Sequence, residues 1–428
     1  MEGIGMDWQV WFAGLLFIIV YAVIISEKIH RTVIALVGAT LLVIIGVLSF
    51  SEAIGKVDFN TIGLLAGMMI IVGITRKSGV FEYAAIKAAH QTGGDPVKTM
   101  MALCIVTAVA SAFLDNVTTV LLIVPVTISI CSALAINPVP FFVAEIISSN
   151  IGGTATLIGD PPNIMIGSAA NLGFMDFVYN LAPIVIVIFI VTLLILKLIY
   201  GKKMVTTEEN KVKLMEMNPD DAIKDRTLMK KSLVVIGLVI LGFILHSHVH
   251  LEPAAIALTG AAFLLLFTRE EPEEILLTVE WATLFFFIGL FILVGGLEKT
   301  GIIEDLARAA VAMTNGNLTA SAMLILWFSA IASAFVDNIP FVATFIPLIK
   351  EMGMIGNMNI MPLWWALALG ACLGGNGTII GASANVIVSG IAAREGHPMS
   401  FLYYMKIAFP LMIVSIIIST IYLLLFYV

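Results

Sequence analysis

Ten runs of apolar residues are the feature that most limits what this chain can fold into. Each run is long enough to cross about 30 Å of hydrocarbon at about 1.5 Å per helical residue. The chain is only 12% charged, whereas about a quarter of the residues of a soluble domain are charged. A bilayer is therefore the solvent that fits this sequence. We place the runs near 8–26, 32–50, 59–75, 139–170, 176–199, 231–247, 253–268, 280–298, 362–390 and 402–427.

Two further apolar stretches, 99–135 and 318–350, are each interrupted in the middle by an Asp–Asn pair. The distribution of basic residues predicts that both are re-entrant hairpins. If the N-terminus lies outside and each stretch enters and leaves on one side, most lysines and arginines fall inside, as the positive-inside rule requires. The basic residues left outside are Lys56, Lys299, Arg308 and Lys350. A full crossing by either stretch would reverse much of this bias.

Residues of the first half recur in the second half at a constant offset of 222, without a gap over about a hundred residues. Asp115–Asn116 matches Asp337–Asn338, and Gly152–Gly153 matches Gly374–Gly375. Equivalent runs cross the membrane in opposite directions, which is the inverted-repeat design of secondary transporters.

The predicted fold is an all-α polytopic membrane protein with two inverted repeats. It has about ten transmembrane helices, two re-entrant hairpins and broken helices at the midplane. We assign 1–200 to the first repeat, 201–230 to a cytoplasmic linker and 231–428 to the second repeat. No cleavable signal peptide is evident, so the first run is interpreted as a retained span.

Each half contains two elements that are unlike ordinary membrane helix: the Asp–Asn tip of its hairpin, and a segment rich in glycine and hydroxyl residues. Glycines and prolines in the middle of a span interrupt the helix and leave backbone N–H and C=O groups without helical hydrogen bonds. Such groups are tolerated at membrane depth only inside protein or beside a wet cavity. Intramembrane carboxylates normally face a cavity or a partner. The candidate substrate-binding residues are Asn116, Thr118, Gly152, Gly153, Thr154, Thr156, Asn163, Asn338, Gly374, Gly375, Asn376, Thr378 and Asn385. The candidate proton- or cation-coupling residues are Asp115, Asp160 and Asp337, because burial favours the neutral form of a carboxyl group.

The remaining chemically active residues favour no cofactor, metal site or catalytic centre. Cys104, Cys131 and Cys372 lie in apolar segments without metal-ligand spacing. Glu145 lies in a span but has no counterpart, because Leu367 occupies the equivalent position, and its role stays open. The three alternate histidines, His246, His248 and His250, are interpreted as surface residues. No Walker A loop or catalytic triad spacing is present, so an enzyme is disfavoured.

The segments Asp115–Thr119, Asn150–Asn163, Asp337–Phe341 and Gly370–Asn385 resemble the ArsB/NhaD/P-protein branch of the ion transporter superfamily. The resemblance covers almost the whole chain and implies a secondary transporter. Prokaryotic members of this size resemble arsenite/antimonite efflux permeases. More distantly, the pattern is similar to dicarboxylate/sodium symporters, but the carboxylate at each hairpin tip disfavours a dianionic substrate.

The leading functional hypothesis is proton-coupled efflux of arsenite or antimonite, bound as a neutral solute by asparagine and threonine side chains. Alternatives are a sodium/proton antiporter and an anion or organic-acid carrier; a channel is a further class. The expected partners are the lipid bilayer of the inner (cytoplasmic) membrane, a small inorganic or ionic substrate, and a proton or sodium as the coupling ion. A homodimer and a cytoplasmic ATPase subunit stay open, and no nucleic acid is expected.

Overall fold

The computed structural model describes residues 7–26, 28–202, 204–249 and 251–428. These residues form 22 α-helices and two short 3₁₀ turns, at Pro219–Ala222 and Ile379–Gly381, and they contain no strand. The helices of the first repeat are α1 Asp7–Ser26, α2 Arg31–Ile44, α3 Phe50–Gly55, α4 Phe59–Lys77, α5 Val80–Gln91, α6 Pro96–Phe113, α7 Asn116–Ala133, α8 Val139–Thr154, α9 Pro161–Ala170, α10 Phe174–Asn180 and α11 Ala182–Tyr200. The linker carries α12 Glu208–Met215. The second repeat has α13 Arg226–Val249, α14 Pro253–Thr268, α15 Pro272–Leu276, α16 Trp281–Lys299, α17 Ile302–Met313, α18 Leu318–Phe335, α19 Asn338–Gly356, α20 Met361–Gly374, α21 Ser383–Arg394 and α22 Phe401–Phe426.

The offset of 222 relates helices over nearly the whole chain, well beyond the hundred residues in which the sequence shows it. Helices α1 to α9 correspond to α13 to α21 in order, and α11 corresponds to α22. Helix α13 begins at Arg226, inside the stretch that the sequence assigns to the linker. The two-repeat, all-helical fold predicted from the sequence is confirmed.

The two repeats interlock through two equivalent helix pairs, α2 with α16 and α4 with α14. A glycine makes each approach possible. A Cβ on Gly67 of α4 would stand 2.7 Å from the Ala257 backbone, and one on Gly289 of α16 would stand 2.8 Å from the Ala35 backbone. Because the offset of 222 converts the first contact into the second, the repeats are related by a pseudo-twofold axis. Small residues allow such close packing of membrane helices.

Helices α6 and α7 form the first hairpin, and α18 and α19 form the second. Asp115 and Asp337 cap the second arm of each hairpin by accepting hydrogen bonds from the backbone of the residues that follow. Asn116 and Asn338, one at each tip, both donate to the carboxylate of Asp160. The tips therefore reach the same depth, as two hairpins entering from opposite sides would.

Among the described residues, ten helices are long and apolar enough to cross a membrane, but four of them are the arms of these hairpins. Helices α2, α14 and α20 are apolar but shorter. Helix length therefore does not distinguish a hairpin arm from a helix that crosses the whole membrane. The contact of both hairpin tips with Asp160 does. The pairs α8–α9 and α20–α21 are the broken helices that the sequence predicts.

The linker packs beside the first hairpin. Thr206 donates from its hydroxyl to the Leu134 carbonyl just after α7, at 2.6 Å. His90 on α5 contacts the Leu214 carbonyl at 3.0 Å. The loop between α7 and α8 is thus on the same side as the linker, which the basic residues predict to be cytoplasmic.

Candidate functional site

Asp160 is the point at which the two repeats meet. Its side chain is 1% exposed, and it precedes Pro161 and Pro162, which start α9. Asn116 donates to Asp160 Oδ1 at 3.4 Å, and Asn338 donates to both carboxylate oxygens at 3.4 Å. One buried carboxylate is therefore shared by both hairpin tips.

Four helices begin around this carboxylate: α7, α9, α19 and α21. Asp115, Asp160 and Asp337 occupy the N-cap positions of three of them, and Ala382 occupies that of α21. Helix N-termini carry a partial positive charge that stabilises an anion. The fold thus builds a positive environment at its centre and fills it with three carboxylates.

Each hairpin is joined to a broken helix by the same set of hydrogen bonds. Thr156 donates to the Ala112 carbonyl and Thr378 to the Ala334 carbonyl, both at 2.5 Å. Because these bonds link a hairpin tip to an unwound segment, each hairpin and its broken helix form one unit.

The carboxamides of Asn163 and Asn385 stabilise the unwound segments themselves. Asn163 donates to the Thr156 carbonyl at 2.9 Å, and Asn385 donates to the Thr378 carbonyl at 2.9 Å. Carbonyls left free where a helix is interrupted must find a donor inside the protein. In this arrangement these two asparagines supply it, so their amide nitrogens serve the backbone.

Asn150 links the carboxamides of the two repeats. Its oxygen accepts from Asn116 at 3.2 Å, and its amide donates to Asn376 at 2.9 Å and to Asn385 at 3.0 Å. The equivalent position in the second repeat is Cys372, whose thiol contacts the Asn163 oxygen at 3.5 Å. The hydrogen-bond network therefore extends through both repeats. It contains an amide in the first repeat, at Asn150, where the second repeat has the thiol of Cys372.

Arg31, at the start of α2, reaches the second hairpin tip. Its Nη1 lies 2.6 Å from Asp337 Oδ2 and 2.7 Å from the Ser383 hydroxyl, which itself donates to Asp337 at 2.9 Å. The Arg31 guanidinium also stands over the Phe286 ring, at 5.0 Å from its centroid. The side chains of Arg31 and Asp337 are 26% and 13% exposed, so water screens this pair only in part.

Asp115, at the first hairpin tip, is bound differently from Asp337. It accepts from the Thr118 backbone at 2.8 Å and from the Thr118 hydroxyl at 2.5 Å, and no lysine, arginine or histidine of the described residues forms an ion pair with it. Pro253 stands where a counterpart of Arg31 would be. Glu280, which lies against the same central cavity, adds a fourth carboxylate.

The central cavity is small, and larger cavities approach it. It measures about 20 Å³, which holds about one water molecule. A cavity of about 280 Å³ lies beside Arg31 and Asp337 and is lined by Ile29 and His30 of the α1–α2 loop. Another, of about 420 Å³, contains Lys56 and Lys350, which the sequence places outside. A solute larger than water can reach the centre only if the hairpin tips move.

The structure sorts the predicted site residues into two groups. Asp115, Asn116, Asp160, Asp337 and Asn338 lie together around the central cavity and the cavity beside Arg31. Of the others, Thr118 donates to Asp115 within the first tip, and Asn376 accepts from Asn150 of the other repeat. The remaining residues join the hairpins to the broken helices, stabilise the helix ends and unwound segments or permit close packing: Gly152, Gly153, Thr154, Thr156, Asn163, Gly374, Gly375, Thr378 and Asn385. Cβ atoms on Gly152 and Gly374 would stand 2.1 and 2.5 Å from the Ala108 and Ala330 carbonyl oxygens. Their roles in substrate binding stay predictions.

Sequence reasoning missed four polar residues at the centre: Arg31, Asn150, Glu280 and Ser383. Glu280 could have been found, because it matches Asp58 at the same offset and precedes Thr283, the counterpart of Thr61. Arg31 has no counterpart and was counted only as a charge that sets orientation. Of the three histidines, His248 and His250 lie outside the residues whose side chains are described. His246 lines an outer cavity with Glu252.

Comparison with known proteins identifies the group to which this fold and site belong. The profile of the CitMHS family, described as "Citrate transporter", matches residues 21–370. The chain belongs to this family. It is a multi-pass membrane secondary transporter, and neither its family nor its fold is that of an enzyme.

Relatives that match almost the whole of this chain support the assignment to a transporter family. An uncharacterized transporter of Mycobacterium tuberculosis is 46% identical over 96% of this chain and 97% of its own length. The P protein of Homo sapiens is 35% identical over 98% of this chain but only 60% of its own length. The resemblance to P proteins predicted from the motifs is therefore confirmed, whereas membership of an arsenite-transporting branch is not shown.

The fold is also similar to that of a solved transporter. The YdaH transporter of Alcanivorax borkumensis, described as having an unusual topology, superposes with a TM-score of 0.60 over 98% of this chain and 97% of its own. The two sequences are 13% identical, so the likeness concerns the fold alone.

Proposed function

We propose that this CitMHS-family protein is a proton-coupled carrier of small organic acid anions. The observation that carries the proposal is the position of Arg31. Its guanidinium lies against the central cavity and forms an ion pair with Asp337. A guanidinium is the side chain best suited to bind a carboxylate through paired hydrogen bonds. The description of the family as citrate transporters supports the same class of substrate.

The acidic side chains around Arg31 supply the coupling. With Asp115, Asp160, Asp337 and Glu280 ionised, the centre repels an anion, and Asp337 competes with it for Arg31. Protonation removes this repulsion and leaves Arg31 and the helix N-termini facing the solute. Anion binding and proton binding then favour each other, which is the linkage that a symporter requires.

Transport follows from movement of the hairpin units. The central cavity of about 20 Å³ excludes an organic acid in the present arrangement. The two units, each a hairpin joined to its broken helix, move apart at Asp160, which belongs to the first unit, and so admit the solute. The pseudo-twofold relation of the units gives the protein an inward-open and an outward-open arrangement.

Arsenite or antimonite remains a second candidate, favoured by the neutral carboxamides of Asn116, Asn150 and Asn338. A neutral trihydroxide can be bound by hydrogen bonds without a countercharge. A sodium/proton antiporter is a third candidate. Carboxylates alone can bind sodium ions and protons, so this function needs no side chain that binds an organic substrate. Location in the inner membrane, a homodimer and a cytoplasmic ATPase partner stay predictions of the sequence.

A substrate panel in proteoliposomes tests these alternatives. The purified protein is reconstituted with a pH-sensitive dye inside, and citrate, other di- and tricarboxylates, arsenite and sodium are added in turn. We expect carboxylates to carry protons with them and to compete with one another. Proton movement with arsenite or sodium alone, without an effect of carboxylates, would select the corresponding alternative.

A further inference from the structure

Glu145 on α8 is a buried carboxyl group that the central site does not use. It is 1% exposed. Its Oε1 accepts a hydrogen bond from the Thr127 hydroxyl of α7 at 2.5 Å, whereas its Oε2 is buried without a hydrogen-bond partner. It lies between the cytoplasmic end of α8 and Asn150, which belongs to the central network. The Ser148 hydroxyl, one turn further along α8, is also buried without a partner.

No cation balances Glu145. Among the described residues, no lysine, arginine or histidine forms an ion pair with it. Two buried thiols, Cys104 from α6 and Cys131 from α7, lie close enough for a charge on Glu145 to act on them, and neither is a cation. An isolated ionised carboxylate costs far more to bury than a neutral acid does. These surroundings therefore favour the neutral acid of Glu145 over the carboxylate.

Among the described residues, the other helices that pack on α8 bring no buried lysine, arginine or histidine to Glu145, since Lys98 on α6, Lys197 on α11 and Lys406 on α22 are exposed. Their buried titratable groups are Tyr200 on α11, Tyr404 on α22 and Cys372 on α20, none of which is basic at neutral pH. Arg394 on α21 is exposed.

The second repeat shows that the fold does not need an acid at this position. Leu367 stands where Glu145 stands in the first repeat, and Ile349 replaces Thr127. Leu367 is fully buried at the equivalent place on α20. An apolar side chain therefore fills this packing position, and the carboxyl group of the first repeat serves something other than packing.

We propose that Glu145 is a second proton-binding site of the transport cycle, on the cytoplasmic side of the central site. A proton that enters from the outer side through the central site binds Oε2 and gives the neutral acid. When the first hairpin unit moves and cytoplasmic water reaches α8, the proton leaves to that water and the carboxylate is restored. This inference rests on the proposed proton coupling, and it adds one proton per cycle to those bound at the centre.

Glu145→Gln tests the proposal because glutamine keeps the shape and can never ionise. Proton-to-solute stoichiometry is measured in proteoliposomes from the pH gradient that just stops net movement of citrate. We expect one proton fewer per solute in Glu145→Gln than in the unmodified protein. Glu298→Gln, which removes an exposed carboxylate paired with Lys56, is the matched control and keeps the original stoichiometry.

A second measurement does not depend on transport. Infrared spectroscopy of the purified protein at neutral pH detects the carbonyl band of a neutral carboxylic acid in an apolar environment. We expect one component of this band to disappear in Glu145→Gln and to persist in Glu298→Gln. Glu145→Leu, which copies the second repeat, serves as a further variant if glutamine lowers the yield of folded protein.

The outcomes separate this inference from the proposed function. An unmodified protein that moves citrate without protons contradicts the proposed function, and the infrared result then decides the protonation of Glu145 alone. Unchanged stoichiometry in Glu145→Gln, with intact coupling in the unmodified protein, overturns the second site. An infrared band that is unaffected by the substitution overturns it equally.

Discussion

Gly67 and Gly289 make the same close contact in the two repeats, whereas Asp160 and Arg31 have no equivalents: Ala382 and Pro253 stand in their places. Packing positions thus follow the pseudo-twofold symmetry, as do the aspartates of the two hairpin tips, whereas Asp160 and Arg31 depart from it. Symmetric packing gives two arrangements of similar energy, as alternating access requires. A single site needs only one set of charges, so the first repeat can supply most of them.

The first way to test this comparison is to neutralise each hairpin tip. Asp115→Asn and Asp337→Asn should each abolish proton-coupled uptake and leave expression and the fold intact. For Asp337→Asn, loss of one partner of the charge pair with Arg31 costs about 2–5 kcal/mol, or about 30-fold to more than 1,000-fold. Uptake of labelled citrate under a fixed pH gradient measures the effect. Full activity in both variants would remove the tips from the coupling mechanism.

The second test replaces Arg31, which has no symmetric counterpart. Arg31→Gln should raise the KM for carboxylates by about 30-fold, because a bidentate partner is lost and Asp337 is left without its ion pair. Arg31→Lys keeps the charge and should recover only part of the affinity. The control is Lys299→Gln, which removes an exposed ion pair with Glu52 that Lys77 and Glu274 repeat at the same offset. A KM unchanged in Arg31→Gln contradicts the role of Arg31 in substrate binding.

The third test asks whether symmetric positions respond equally. Gly67→Ala and Gly289→Ala should each destabilise the protein by about 1–3 kcal/mol, because the added methyl group meets backbone of the other repeat. Gly237→Ala, whose Cβ would enter open space, is the control. Thermal unfolding of purified protein in detergent measures all three. Clearly unequal shifts for the first two variants argue against the pseudo-twofold interface.

The smallest expected effect concerns the bonds between hairpins and broken helices. Thr156→Val and Thr378→Val should each cost about 1–2 kcal/mol, since a carbonyl at a hairpin tip loses its donor. Thr40→Val, which removes a bond within a single exposed helix turn, should cost less. The same thermal measurement applies, and no shift in either of the first two variants would show that these bonds do not hold the units together.

Much of the fold could be predicted from sequence because it depends on repeated local patterns. Apolar runs, the offset of 222 and the basic-residue distribution led to the inverted repeats and both hairpins. The central position of Asp115, Asn116, Asp160, Asp337 and Asn338 follows from the same reasoning. All are polar residues in apolar surroundings.

The rest depends on contacts between distant parts of the chain. Arg31 and Asp337 are far apart in sequence, and nothing local to Arg31 distinguishes it from a basic residue that sets orientation. The threonines and asparagines of the unwound segments looked equally suitable for a solute. Only the structure shows that Thr156 and Asn163 bond to backbone carbonyls.

The central claim is that one carboxylate, Asp160, couples both hairpin tips to proton movement. The most direct test records proton and citrate movement together in proteoliposomes that contain Asp160→Asn. The account predicts a folded protein in which Asn116 and Asn338 still contact the side chain at position 160. This variant moves neither proton nor solute under a pH gradient. Coupled movement with an unchanged proton-to-solute ratio in this variant would contradict it.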